Sequence, residues 1–248
     1  MGAVDRRAFS GPRPSDQWFW PCVVAWMWCG LLMGFVPEML ENARNPDHSY
    51  PLAIHIHAAV FVGWMVLLTA QVLLIRSGRI RLHRRLGQGG AVMVPVMLGV
   101  GFWAAWTVDT ASISAGTANG AFLAIQGVAL VIFGPLMTLA LYCRRDPAAH
   151  RRLVLLATAP LVDAGFARWW HPALRPLLGE DFFGKLAGFS AGSASIVLAI
   201  ALYDLATRRR IHAAWAAAAA FYAVAELLSI WAIISPWWPP MARALLGV

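Results

Sequence analysis

Long runs without a single Asp, Glu, Lys or Arg decide what this chain can fold into. They reach from Gln17 to Pro37, His48 to Ile75, Leu86 to Val108, Thr110 to Cys143, Leu186 to Tyr203 and Ile211 to Ala225. Most meet or exceed the roughly 18 apolar residues needed to cross a bilayer core. Two further apolar stretches each hold one acid: Leu153–Trp170 contains Asp163, and Ala213–Trp238 contains Glu226. Within the run that starts at Thr110, the small polar and glycine residues of 110–120 read as a loop, which leaves Ala121–Cys143 as a span. The pattern predicts an all-α polytopic membrane protein of seven transmembrane helices. Residues 1–17 then form a basic cytoplasmic tail, 18–238 the seven-helix domain and 239–248 a short extracytoplasmic tail.

Composition excludes the main alternative, a water-soluble globule. Apolar residues make up 60% of the chain and charged residues only 13%, about half the charged share of an ordinary soluble domain. The net charge of +8 would suggest a nucleic-acid partner in a soluble protein. Here the basic residues fall between apolar runs, where they set orientation instead. With seven spans, fifteen of the twenty Lys and Arg lie on the side of the amino end and five on the other. The amino end is therefore expected in the cytoplasm and the carboxyl end outside, with the arginine-rich inner rim facing anionic lipids. The three cysteines, Cys22, Cys29 and Cys143, form no CxxC and imply neither a disulfide framework nor a thiolate metal site.

Ionisable residues within spans are expensive and mark function. Asp163 and Glu226 are the two intramembrane acids, and the sequence offers them as catalytic or proton-carrying residues. His55 and His57 open the second span and, with His48 before it, form a candidate metal set in the outer half. At about 100° per residue, however, two histidines two apart point roughly 200° apart on a regular helix. At the inner rim, His83 with Arg84 and His150 with Arg151 are candidates to hold a haem edge and its propionates. His212 stands in a similar place beside Arg208, Arg209 and Arg210. Leu82-His83-Arg84-Arg85-Leu86 echoes His150-Arg151-Arg152-Leu153, so the three helical hairpins read as related copies with one helix added in front.

The segments His55-Ile56-His57-Ala58, Leu82-His83-Arg84-Arg85-Leu86-Gly87, Ala149-His150-Arg151-Arg152-Leu153 and Tyr203-Asp204-Leu205 carry a resemblance. They resemble an uncharacterised family of bacterial multipass membrane proteins and are similar, more weakly, to small membrane proteins of cytochrome oxidase assembly. The resemblance implies a cytoplasmic (inner) membrane location and a motif set in which His55, His57, His83, Arg84, His150 and Asp204 matter. The chain departs from the motif at Ala213-Ala214 after His212. Three functions compete on these residues. The first is binding of haem or a divalent metal ion in a redox or oxidase-assembly role, alongside a membrane protein partner. The second is an acid-catalysed membrane enzyme of cyclase or isomerase type using Asp163 and Glu226. The third is a proton-coupled transporter using the same acids.

Overall fold

The computed structural model describes residues 9, 11, 13–44 and 50–248, and among them every regular element is helical. In chain order these are α1 (Asp16–Asn42), α2 (Leu52–Arg76), α3 (Ile80–Ser114), α4 (Leu123–Tyr142), α5 (Pro147–Thr158), a 3-10 turn (Ala159–Val162), α6 (Asp163–Leu178), α7 (Phe182–Arg208), α8 (Ala213–Ile234) and α9 (Trp238–Leu246). Six of them, α1, α2, α3, α4, α7 and α8, are long and apolar enough to cross a membrane. The pattern is that of a multipass membrane protein.

The stretch expected as one continuous fifth span is divided. Pro160 has no backbone N–H and its ring crowds the carbonyl four residues earlier, which weakens the α-helical ladder there, although α1, α3, α4 and α6 continue through prolines of their own. The chain takes a 3-10 turn over Ala159–Val162 and restarts as α6 at Asp163. Thr158 secures the break by donating to the Val154 carbonyl at 2.9 Å and accepting from Trp64 Nε1 at 3.3 Å. The start of the first half is also fixed, because the Asp146 carboxylate accepts from the N–H groups of Ala148 and Ala149 and Pro147 occupies the first turn.

This broken element lies at the centre of the bundle. α5 packs against α4 and α8, and α6 against α1 and α7. Leu153, Leu156, Ala157, Ala159 and Phe166 are all essentially inaccessible. Close approach of α6 to its neighbours depends on glycine. A Cβ at Gly165 would meet the Gly30 carbonyl oxygen of α1 at 2.6 Å, and one at Gly34 would strike the Gly165 backbone. Such backbone-to-backbone contact between spans is the packing that small residues allow in membranes.

Two boundaries differ from the sequence reading. α3 continues to Ser114, well into the segment read as a loop. Thr107 and Thr110 donate to the Trp103 and Trp106 carbonyls, four residues back, so their hydroxyls are absorbed within the helix rather than competing with it. Most of the carboxyl-terminal tail forms α9, a short amphipathic helix tied to the α3–α4 connection by Trp238 Nε1 donating to the Ala121 carbonyl at 3.1 Å.

Candidate functional site

The two acids that the sequence singled out come from different helices and meet in one polar cluster. Asp163 is the first residue of α6, immediately after the break, and its Oδ1 accepts from the Ser193 N–H of α7 at 2.8 Å. Glu226 lies on α8, and its Oε2 accepts from the Ser190 hydroxyl of α7 at 2.7 Å. Tyr222, one turn before Glu226 and on the same face, brings its hydroxyl into interaction range of both carboxyls and of Ser193. Asp163 also lies within electrostatic reach of Glu226. Glu226, Tyr222, Ser190 and Ser193 are buried, whereas Asp163 retains some exposure. Ser190 is eight residues from the start of α7, and Glu226 eight from the end of α8. Both lie ~12 Å in from the same ends of their helices, inside the apolar zone.

Among the described residues, no arginine forms an ion pair with Asp163 or Glu226. Arg168, the nearest candidate partner in sequence for Asp163, turns away to Glu38 of α1, with Nε donating to Oε2 at 2.5 Å. Glu38 also accepts from the Tyr50 hydroxyl at 2.9 Å. Burial and the neighbouring Glu38 carboxylate push the Tyr50 phenol above its ordinary range. This outer-rim group is half-exposed and binds the end of α1 to α6.

A second charged cluster occupies the opposite end of the bundle, and the sequence reading did not assemble it. Arg152 and Asp204 are both fully buried. Arg152 Nε donates to Asp204 Oδ2 at 2.8 Å, Nη2 donates to Oδ1, and Nη1 donates to the Ala148 carbonyl at 2.7 Å. Beside this fork, Asp16 at the start of α1 accepts from Tyr203 at 2.6 Å, from Arg208 at 3.1 Å and from Arg151 at 3.4 Å. Phe9 lies within the same group, buried under the guanidinium of Arg152 at 4.7 Å and that of Arg208 at 5.3 Å, with the His212 ring edge-on at 4.6 Å. His212 itself caps α8, its Nδ1 accepting from the Ala214 N–H. The available signal was the spacing of Asp204 and Arg208, one turn apart on a buried face. It could not name Arg152 as the partner, because the pair is 52 residues apart.

The candidate histidines divide into three situations. His55 is exposed and meets only the edge of Tyr50, while His57 stacks on Phe61 with ring centroids 4.0 Å apart. His48 lies outside the described residues. At the end of the bundle that holds the arginine-rich connections, His83 and His150 do come within electrostatic reach of one another. The His150 Nδ1 contacts the Ala140 carbonyl at 2.8 Å. A carbonyl oxygen can only accept, so Nδ1 carries the hydrogen and the neutral ring keeps its lone pair on Nε2. Arg84 is exposed, and Arg151 is engaged with Asp16 and with the Trp20 ring at 4.5 Å. Among the described residues, no three His, Cys, Asp or Glu side chains gather into a group that could hold a metal ion. No known protein family, curated protein or solved structure matches this chain.

Proposed function

We propose that this chain is a proton-coupled transporter of the bacterial cytoplasmic membrane, with Asp163 and Glu226 sharing the exchangeable proton. In this reading it has seven spans, its amino end in the cytoplasm and its carboxyl end outside. The observation that carries the proposal is the meeting of Asp163 and Glu226, from two different helices, beside the break in the central helical element. Broken helices that present a helix end and an ionisable group at membrane depth are a recurring way to build coupling-ion sites in transporters. Two carboxyl groups within electrostatic reach of one another are served by hydroxyl and N–H donors and, among the described residues, by no arginine, which leaves room for a proton between them. The seventh span follows from parity. The broken element joins the inner end of α4 to the outer end of α7, and only a crossing there keeps the arginine-rich loops on one side.

Infrared difference spectroscopy across a pH step tests this on purified protein in lipid. The expected result is a carbonyl band of a protonated carboxyl group that responds to pH and is altered in both Asp163→Asn and Glu226→Gln. A spectrum without such a band, or one that both variants leave unchanged, overturns the reading.

A second reading, haem or a divalent metal ion in a redox or oxidase-assembly role, keeps one supporting observation. His83 and His150 lie within electrostatic reach of one another, and the Ala140 carbonyl orients His150 with Nε2 available, as partners to ligating histidines do. An absorption spectrum and metal analysis of the purified protein, repeated with His150→Ala, decide it. A Soret band or bound metal lost in that variant supports it, and a protein with neither overturns it.

A further inference from the structure

Every donor in the acid cluster except one is committed. The Ser190 hydroxyl donates to Glu226 Oε2 at 2.7 Å, the Ser193 N–H to Asp163 Oδ1 at 2.8 Å, and the Ser193 hydroxyl to the Ser190 carbonyl at 3.0 Å. The Tyr222 hydroxyl lies within interaction range of Asp163, Glu226 and Ser193 without meeting the full geometry of a hydrogen bond to any of them. Tyr222 is only 5% exposed. A buried hydroxyl without a fixed partner is rare in folded proteins and calls for an explanation. Its ring is well held, because it belongs to the same buried core as Ala218, Val197 and Ile200. The side chain is thus fixed in place while its one polar atom is left uncommitted between two carboxyl groups.

We infer that Tyr222 is the bridge over which the proton passes between Asp163 and Glu226. The inference rests on the proton-sharing reading of that pair. In the transfer the Asp163 carboxyl gives its proton to the Tyr222 oxygen as the Tyr222 O–H proton moves to the Glu226 carboxylate. Asp163 ends ionised, Glu226 ends neutral, and the tyrosine ends as it began, so proton and charge balance without a lasting phenolate. A hydroxyl is the group suited to this, since it donates and accepts at the same atom.

The test is the rate of hydrogen–deuterium exchange at the pair, read from the carboxyl carbonyl band after transfer of the lipid-reconstituted protein to heavy water. Tyr222→Phe removes one oxygen and keeps the ring. The expected result is a shifted carboxyl band and exchange slowed by about a hundredfold, the lower end of what a positioned proton carrier contributes, with thermal unfolding unchanged. In a Glu226→Gln background the same substitution should have no further effect. Should Tyr222→Phe fold poorly, site-specific fluorotyrosine at 222 keeps the hydroxyl and makes it more acidic. It should speed the exchange, which a purely structural role would not do. Wild-type band position and exchange rate in Tyr222→Phe, or an unchanged rate with fluorotyrosine, overturn the bridge while leaving the acid pair standing. Absence of a pH-sensitive carboxyl band in the wild type overturns the acid pair itself.

Discussion

Asp204→Asn should be the most destabilising single polar substitution in the molecule, because it leaves Arg152 charged and enclosed. Both side chains are at 0% exposure, and the fork between them uses two Arg152 N–H groups on the two Asp204 oxygens. Two unit charges about 4 Å apart at an effective dielectric near 20 interact by about 4 kcal/mol. Breaking a buried pair by removing one partner typically costs about 3–5 kcal/mol, and the two routes agree. The rings of Phe9 and Trp20 over the guanidinium already act in the wild type, so they offer no new compensation. The Ala148 carbonyl contact likewise remains and cannot replace a negative charge. The assay is unfolding in mixed micelles, with Glu38→Gln as the internal comparison. The Arg168–Glu38 pair is 43% and 39% exposed, and such pairs contribute about 0–1 kcal/mol. Replacing both partners with apolar residues, Arg152→Met with Asp204→Leu, should recover most of the loss, since no unpaired charge is left behind. An Asp204→Asn cost no greater than that of Glu38→Gln would refute the argument.

Further expectations follow from other parts of the bundle. Gly165→Ala should lose about 1–3 kcal/mol of stability, because its Cβ meets the Gly30 carbonyl at 2.6 Å; the same unfolding assay reads it. Gly99→Ala meets nothing within 4 Å and should instead gain up to about 1 kcal/mol from helix propensity. A reporter active only outside the cytoplasm should work at the carboxyl end and fail at the amino end, and the reverse pattern would sink the orientation. At the α6–α7 corner, hydrogen bonding to Lys185 and the nearby Arg175 hold the Glu180 carboxyl below its ordinary value of 4.5. Its contribution is therefore full above that value and is lost as pH falls through the lower folded-state value. Glu180→Gln should flatten the acid limb of the unfolding curve.

How much of this could be read from the residues depends on whether the information is local. Uncharged runs are local, and they located the six long spans because a bilayer imposes length and composition on each segment separately. Asp163 and Glu226 stood out for the same reason, each being an acid inside an apolar stretch. Their meeting was not legible, since it depends on how α6 and α8 pack against α7. Pro160 was visible, yet the break it makes also needs Trp64, from another helix, on Thr158. The inner ionic cluster was hidden by its composition. Arginine at a helix entry is the ordinary mark of the cytoplasmic side, so nothing separates the fully buried Arg152 from the exposed Arg84 until the helices are placed. Thr110 misled because the preference for loops averages over contexts, and inside an apolar helix its hydroxyl bonds back to the preceding turn, as that of Thr107 does.

The interior holds charge at two depths, and the two differ in how free their protons are. On α7, Ser193 and Asp204 are eleven residues apart, ~16 Å along the axis and on nearly the same face. The buried residues between them on that face, Val197 and Ile200, are apolar. Arg152 and Asp163 bracket Leu156 and Ala159 in the same way on the broken element. At the inner depth, Asp204 is held by two donors of one guanidinium and Asp16 by Tyr203, Arg151 and Arg208. A proton arriving there would have to displace charge-assisted hydrogen bonds, which are about twice as strong as neutral ones. At the depth of Asp163 and Glu226, the carboxyl groups accept from Ser193 and Ser190, and the Tyr222 hydroxyl lies among them. Under the proposed reading, proton movement belongs to the outer tier, and the locked inner tier supplies fixed charge and rigidity. The apolar layer of Leu156, Ala159, Val197 and Ile200 then keeps a proton taken up by the acid pair from running on to the arginine-rich rim, which is what coupling, as opposed to leakage, requires.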